Sequence, residues 1–321
     1  MPRLRRSHPG VGGISRRRSG RGFTYRYPDG SLVTGADRKR IEALVIPPAW
    51  VDVWICPFEN GHIQAMGVDD AGRSQYIYHP EWRVRKDTEK FARAARLGAI
   101  LPQARRHVTR DLRASPSMKT RTLAAAVRLM DLGALRVGSE GYAKRNGSYG
   151  LTTLRCKHVR VSGHVVSLCF PAKSGQTWQS DIEDPELAVF LEPLVRRAAR
   201  QAVLAYQDGG AWIPLRASMV NEYLRNITGD RYTAKDFRTW KGTAAAGVAL
   251  AGPQSAAKPA LTPKQRIVDA IKQTAELLGN TPTVARAAYI DPRILEGFLA
   301  GDLEKLRPRE SEIAAYLASL P

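Results

Sequence analysis

Near residue 80 the hydrophobic period of this chain changes from two to between three and four, which divides its 321 residues into two kinds of structure. Before that point, short alternating runs are separated by turn residues. FTYRYPDGSLVT folds back on Pro28-Asp29-Gly30. WVDVWICP and HIQAMGVDD follow, separated by Glu59-Asn60-Gly61, and then comes GRSQYIYHP. This pattern predicts antiparallel strands. Tyr76 and Tyr78 are two apart in the last run, so both rings belong on one face. Trp50 and Trp54 are expected to build the β core. After about Glu81, Leu123, Val127 and Met130 in MKTRTLAAAVRLMD recur at helical spacing. Residues 158–180 interrupt with HVRV, a Ser162-Gly163 turn, HVVSLCF, Lys173-Ser174-Gly175 and QTWQS. That is a small antiparallel meander with Lys173 near its second tip. Helices are expected again from about Pro185. The fold class is α+β: a small antiparallel β domain over 23–85, and a larger, mainly helical domain over 86–321 that contains the meander.

Residues 1–22 stand apart. They hold seven arginines (Arg3, Arg5, Arg6, Arg16, Arg17, Arg18, Arg21) and no acid. Such a segment is expected to be a disordered basic arm that touches phosphates. It lacks the apolar centre of a secretory signal, and Pro9, Gly10, Gly12 and Gly13 oppose the amphipathic helix of a transit peptide. The charge excess continues along the chain: 50 Lys plus Arg against 30 Asp plus Glu, a net +20. This predicts a polyanionic partner, nucleic acid or an acidic membrane surface. The membrane reading is disfavoured because no long basic amphipathic helix appears, and no apolar run approaches the ~18 residues needed to span a bilayer. The 43% hydrophobic content excludes wholesale disorder. Cys56, Cys156 and Cys169 fit neither a disulfide framework nor a zinc motif, which points to a reducing, intracellular setting.

The chain has no GxxxxGK[ST] loop, no GxGxxG after a strand, no DxD or HExxH cluster and no GxSxG elbow. Neither metal nor nucleotide cofactor is expected. The acids at Asp69-Asp70 and Asp181 to Glu186 read as solvated loops. Metal-free phosphodiester chemistry needs a nucleophile, cations around the phosphorus and an acid for the leaving oxygen. Arginine suits the second role because its fork matches two phosphate oxygens and stays charged. Arg136 follows the Leu123 helix after a break at Gly133. Lys173 sits at the meander tip. Lys235 and Arg238 are three apart in KDFRTWKGTAAA, with Phe237, Trp240, Ala244 and Val248 on the opposite, core-facing side. Thr262-Pro263 starts a helix with a buried stripe of Ile267, Ile271, Ala275 and Leu278, and Gly279 ends it. Asn280 follows. Tyr289 closes a short helical segment between the Thr281-Pro282 and Asp291-Pro292 start signals. Singly, each candidate has an ordinary reading: a helix-end cation, a turn lysine, a surface arginine, a packed tyrosine.

In this order the segments resemble the small type IB DNA topoisomerases of the poxvirus-like and bacterial kind. IPPAWVDVWICP and GRSQYIYHPEW resemble that family's N-terminal signature. RVGSEGYAKRNGSYGLTTLRCKHV, KDFRTWKGT and LGNTPTVARAAY resemble its catalytic domain. The resemblance implies a catalytic fold shared with tyrosine recombinases. It makes Tyr289 the nucleophile that becomes joined to a 3′ phosphate, with Arg136 and Arg238 on the non-bridging oxygens. Lys173 protonates the departing 5′ oxygen, assisted by Lys235. Asn280 stands where many members have His and donates a hydrogen bond to phosphate. Gln75, Tyr76 and Tyr78 read the major groove, and Tyr142, Lys144 and Arg145 meet the backbone. The implied partner is double-stranded DNA, relaxed without ATP by a monomer, in the cytoplasm at a bacterial nucleoid. The rival is a tyrosine recombinase, which uses a similar Arg, Lys, Arg and Tyr set. Against it, KDFRTWKGTAAA lacks a His two or three residues before the second Arg, and the N-terminal half reads as β. From charge alone, a non-catalytic DNA-binding protein is a third reading.

Overall fold

A computed structural model describes residues 3–229, 232–252 and 261–320. The chain forms two compact units, Met1–Glu89 and Lys90–Pro321. In the first, β1 (Ile14–Ser19), β2 (Gly22–Arg26), β3 (Val51–Ile55), β4 (Ile63–Val68) and β5 (Ser74–Tyr78) make one antiparallel sheet in the order β2-β1-β3-β4-β5. Strands β3, β4 and β5 fall where the alternation put them.

Strand β1 corrects the expected disorder of residues 1–22. It pairs with β2 from Ser15↔Arg26 to Ser19↔Gly22 and with β3 at Ile14↔Ile55. Ile14 is fully buried. Arg16 lies 4.1 Å over the Phe23 ring and donates to the carbonyls of Ile46 (3.2 Å), Pro47 (3.1 Å) and Trp50 (2.6 Å). Upstream, buried Ser7 donates its hydroxyl to the Ile63 carbonyl at 2.9 Å. One inward isoleucine suffices for this strand, and arginine stems and forks do the rest. An average over composition sees only charge.

The continuous β reading of residues 23–80 also changes. The turn forms, with the Tyr27 N–H donating to the Ser31 carbonyl at 3.0 Å. Its return limb, however, is a single bridge, Arg26↔Leu32, and helix α1 (Gly35–Ala43) follows. Only Ile41 of α1 is buried, so no apolar stripe announced it. Trp50 packs against the sheet core, while Trp54 is half-buried, its indole lying where a side chain on Gly13 would sit.

Helix α2 (Pro80–Ala114) runs from the first unit into the second. There follow α3 (Met118–Gly133), α4 (Glu140–Asn146), and the meander β6 (Val159–Ser162), β7 (Val165–Pro171), β8 (Thr177–Glu183) in the order β6-β7-β8. Next come α5 (Pro185–Val195), β9 (Ala205–Asp208), β10 (Ala211–Pro214), α6 (Ala217–Thr228), α7 (Ala234–Leu250), α8 (Pro263–Leu278), α9 (Pro282–Tyr289), α10 (Pro292–Leu299) and α11 (Glu310–Ser319). The β9–β10 hairpin interrupts the helices expected from about Pro185. Every residue of β10 is exposed, with Trp212 held 4.0 Å from the Arg197 guanidinium, so its burial shows no alternation. Around α7, Phe237 and Trp240 are fully buried with Leu101, Leu129 and Met130. No helix among the described residues is long and apolar enough to cross a membrane.

Candidate active site

The site is built at the C-terminal end of α8. Thr262 opens that helix, its hydroxyl accepting the Gln265 N–H at 3.3 Å. Gly279 closes it at φ +54°, and a Cβ there would lie 2.7 Å from Cζ3 of Trp178 on β8. The left-handed turn and the indole both require glycine. A helix end leaves carbonyls without intrahelical donors, and here two arginines take them. Arg238 donates to the Leu278 carbonyl at 2.7 Å and to the carbonyl of Ala134, the C-cap of α3. Arg136 donates to the Gly279 carbonyl at 3.2 Å and to Asn280 Oδ1 at 2.6 Å. The negative ends of two helix dipoles thus hold the guanidinium of Arg238. No carboxylate bonds Arg136, Arg238, Asn280 or Tyr289 among the described residues.

Arg238 is only 4% exposed, although sequence spacing placed it on a polar face with Lys235. Burial first, then the like charge of Arg136, lowers its pKa from the ordinary guanidinium value to about 10, against the opposing effect of the Tyr289 phenol. It remains a cation at neutral pH. Its Nε and the Nδ2 of Asn280 are buried donors with no acceptor among the described residues. Tyr289, half-buried at the end of α9, places its ring centroid 5.4 Å from Arg238 Cζ. Two guanidiniums, two unused donors, a phenol and no acid make a site for an anion.

Four of the six expected catalytic residues are therefore brought together. Among the described residues no hydrogen bond joins the ammonium of Lys173 or Lys235 to them. Lys173 is exposed in the tight turn Lys173–Gly175, and Lys235 is exposed in the first turn of α7; neither ammonium has a partner among the described residues. A groove of about 280 Å³, lined among others by Ala172, Gln176, Trp178 and Gly279, joins the base of the Lys173 turn to the end of α8. On α4, Lys144 and Arg145 are exposed and Tyr142 is half-buried. On the edge strand β5, Tyr76 and Tyr78 share the solvent face, stacked with centroids 6.0 Å apart. Gln75 points to the other face and donates to Asp69 at 2.8 Å. That carboxylate is held well below its usual range, chiefly by Arg73.

The sequence reading missed Trp178, Gly242 and Thr243 as parts of the site. A Cβ on Gly242 would lie 2.8 Å from the Cβ and carbonyl oxygen of Tyr289, and the Thr243 hydroxyl donates to that carbonyl at 3.0 Å. A glycine inside an otherwise good helical pattern was the available signal.

Comparison with known proteins bears on this site directly. Residues 79–297 match the family model of the eukaryotic DNA topoisomerase I catalytic core, and residues 22–69 match that of the bacterial DNA topoisomerase IB N-terminal domain. The chain is 33% identical over 291 residues to DNA topoisomerase 1B of Acanthamoeba polyphaga mimivirus, covering 88% of this chain and 87% of the viral one. It is 24% identical over 243 residues to DNA topoisomerase 1B of Vaccinia virus (strain Copenhagen), covering 72% of this chain and 71% of that protein. A solved structure of the XerH site-specific recombinase, bound to palindromic difH substrate in a post-cleavage complex, aligns with a TM-score of 0.37 and 14% identity over 73% of this chain and 58% of that chain. A likeness of that size carries no argument. The chain belongs to the type IB DNA topoisomerase family.

Proposed function

We propose that this chain relaxes supercoiled double-stranded DNA by cutting and resealing one strand, with Tyr289 as the nucleophile. The observation that carries this is the gathering of Tyr289, Arg136, Arg238 and Asn280 at one helix end, with two unused buried donors and no carboxylate bonded to them among the described residues. The Tyr289 oxygen bonds to a backbone phosphorus as the bond from phosphorus to the 5′ oxygen breaks. The phenolic proton leaves to solvent, and Lys173, assisted by Lys235, gives a proton to the departing 5′ oxygen. Arg136, Arg238 and Asn280 Nδ2 hold the non-bridging oxygens, where charge develops. One phosphodiester is exchanged for another of similar energy, so the 5′ hydroxyl can attack back and no ATP is consumed. While the strand is open, supercoiling torque turns the duplex.

Tyr76, Tyr78 and Gln75 on β5, and Tyr142, Lys144 and Arg145 around α4, are the DNA contacts in this reading. The β-rich unit serves as a DNA-binding domain and the helical unit as the catalytic one. One tyrosine cuts one strand, so a monomer suffices, acting in the cytoplasm at the nucleoid. Supercoiled plasmid in EDTA without ATP tests it. Relaxation in single-link steps, abolished in Tyr289→Phe, with a covalent adduct on Tyr289 trapped by denaturant, is expected. No adduct on that ring refutes the proposal, and a requirement for paired specific sites replaces it with a recombinase.

A further inference from the structure

Thr243 is 1% exposed and lies on α7, directly after Gly242 and five residues beyond Arg238. A buried helical threonine ordinarily turns its hydroxyl back to the carbonyl four residues earlier. Thr239 does so to Lys235 at 3.1 Å, Thr274 to Ala270 at 2.8 Å and Thr122 to Met118 at 2.7 Å. Thr243 does not. Its hydroxyl donates to the Tyr289 carbonyl at 3.0 Å and accepts the Asp291 N–H at 3.1 Å. A single oxygen thus pins the main chain on both sides of Ile290. Gly242 adds a direct contact, because only a missing side chain lets the α7 backbone approach Tyr289 Cβ this closely. Asp291 is itself fixed, its carboxylate accepting the Arg293 N–H at 3.0 Å and pairing with that guanidinium at 2.8 Å. Helix α9 has eight residues, too few to be rigid alone.

We propose that Thr243 is a positioning residue for strand cleavage and resealing. It ties the main chain of Tyr289 to the helix that carries Arg238, so one rigid element sets the spacing of phenol and guanidinium. This rests on Tyr289 being the nucleophile. Oxygen, not packing, carries the effect, so Thr243→Val and Thr243→Ser separate it.

The test is single-turnover cleavage and resealing of a duplex oligonucleotide by the full chain. Duplex affinity is measured for each variant in a Tyr289→Phe background. Thr243→Val is expected to slow both directions by the same factor, about ten- to a hundredfold, the scale of a misplacement near 1 Å. The covalent fraction at equilibrium then stays unchanged and affinity stays within about twofold, while Thr243→Ser restores most of the rate. Wild-type rates in Thr243→Val, equal loss in Thr243→Ser, or affinity falling in parallel with rate each overturn the proposal. A wild-type protein that forms no adduct on Tyr289 overturns the nucleophile reading instead, a separate result.

Discussion

Replacing Gly279 by alanine strikes the point where both active-site arginines are held. Two costs arise there. The first is conformational, since an L-residue at φ +54° costs roughly 1–2 kcal/mol. The second is steric, because the new Cβ would lie 2.7 Å and 3.0 Å from Cζ3 and Cε3 of Trp178. That indole is not free to swing: its Nε1 donates to Ser180 Oγ at 3.0 Å, and its ring stacks on Phe170 at 6.3 Å. Overpacking against a held ring costs a further ~1–3 kcal/mol. Gly229 at the end of α6 supplies the control, with φ +70° and open space where its Cβ would be. In urea unfolding, Gly229→Ala should lose ~1–2 kcal/mol and keep its cleavage rate. Gly279→Ala should lose ~2–5 kcal/mol and at least about tenfold in rate, because the Leu278 and Gly279 carbonyls that seat Arg238 and Arg136 move with it. Trp178→Ala in the same chain should recover the steric part, giving a coupling of ~1–3 kcal/mol in a double-mutant cycle. Equal losses in the two glycine variants, or a coupling below about 0.5 kcal/mol, would refute this account of the helix end.

Burial, with Lys157 and Arg155 nearby, lowers the pKa of His158 from 6.5 to about 4. The unfolded chain takes up a proton near pH 6.5 that the folded chain refuses until about 4, so stability falls as pH drops through that window, by up to ~3 kcal/mol. Urea midpoints against pH should show this slope and lose it in His158→Asn; equal slopes would contradict the assignment. At position 280 the amide does not titrate, so the wild-type cleavage rate should carry no inflection near the imidazole pKa of about 6.5. Asn280→His should introduce one; an inflection already present in the wild type counts against the role given to Asn280.

Much of the site was legible in order but not in depth. Caps made α8, α9 and α10 readable: Thr262, Thr281 and Asp291 each bond the N–H expected of them. The meander was readable because turn residues punctuate it. Arg238 was not, because helical periodicity assigns a face only by polarity, and here a charged group is buried through carbonyls supplied by Ala134 and Leu278, distant in sequence. Alternation along β5 was readable too: Tyr76 and Tyr78 share one face, and the pleat gives Gln75 the other, where its amide meets Asp69. Helix α1 and the β9–β10 hairpin escaped notice because each buries too few apolar residues to show a period.

The arginine-rich opening of the chain has a practical consequence for anyone shortening this protein. Deleting residues 1–22 would look harmless on composition, yet the cut would pull the strand that sits between β2 and β3 out of the five-stranded sheet. With it would go Ile14 from the interior and the guanidinium that ties down three carbonyls ahead of β3. Two raw edges would then face water, an invitation to aggregate rather than a cleaner specimen.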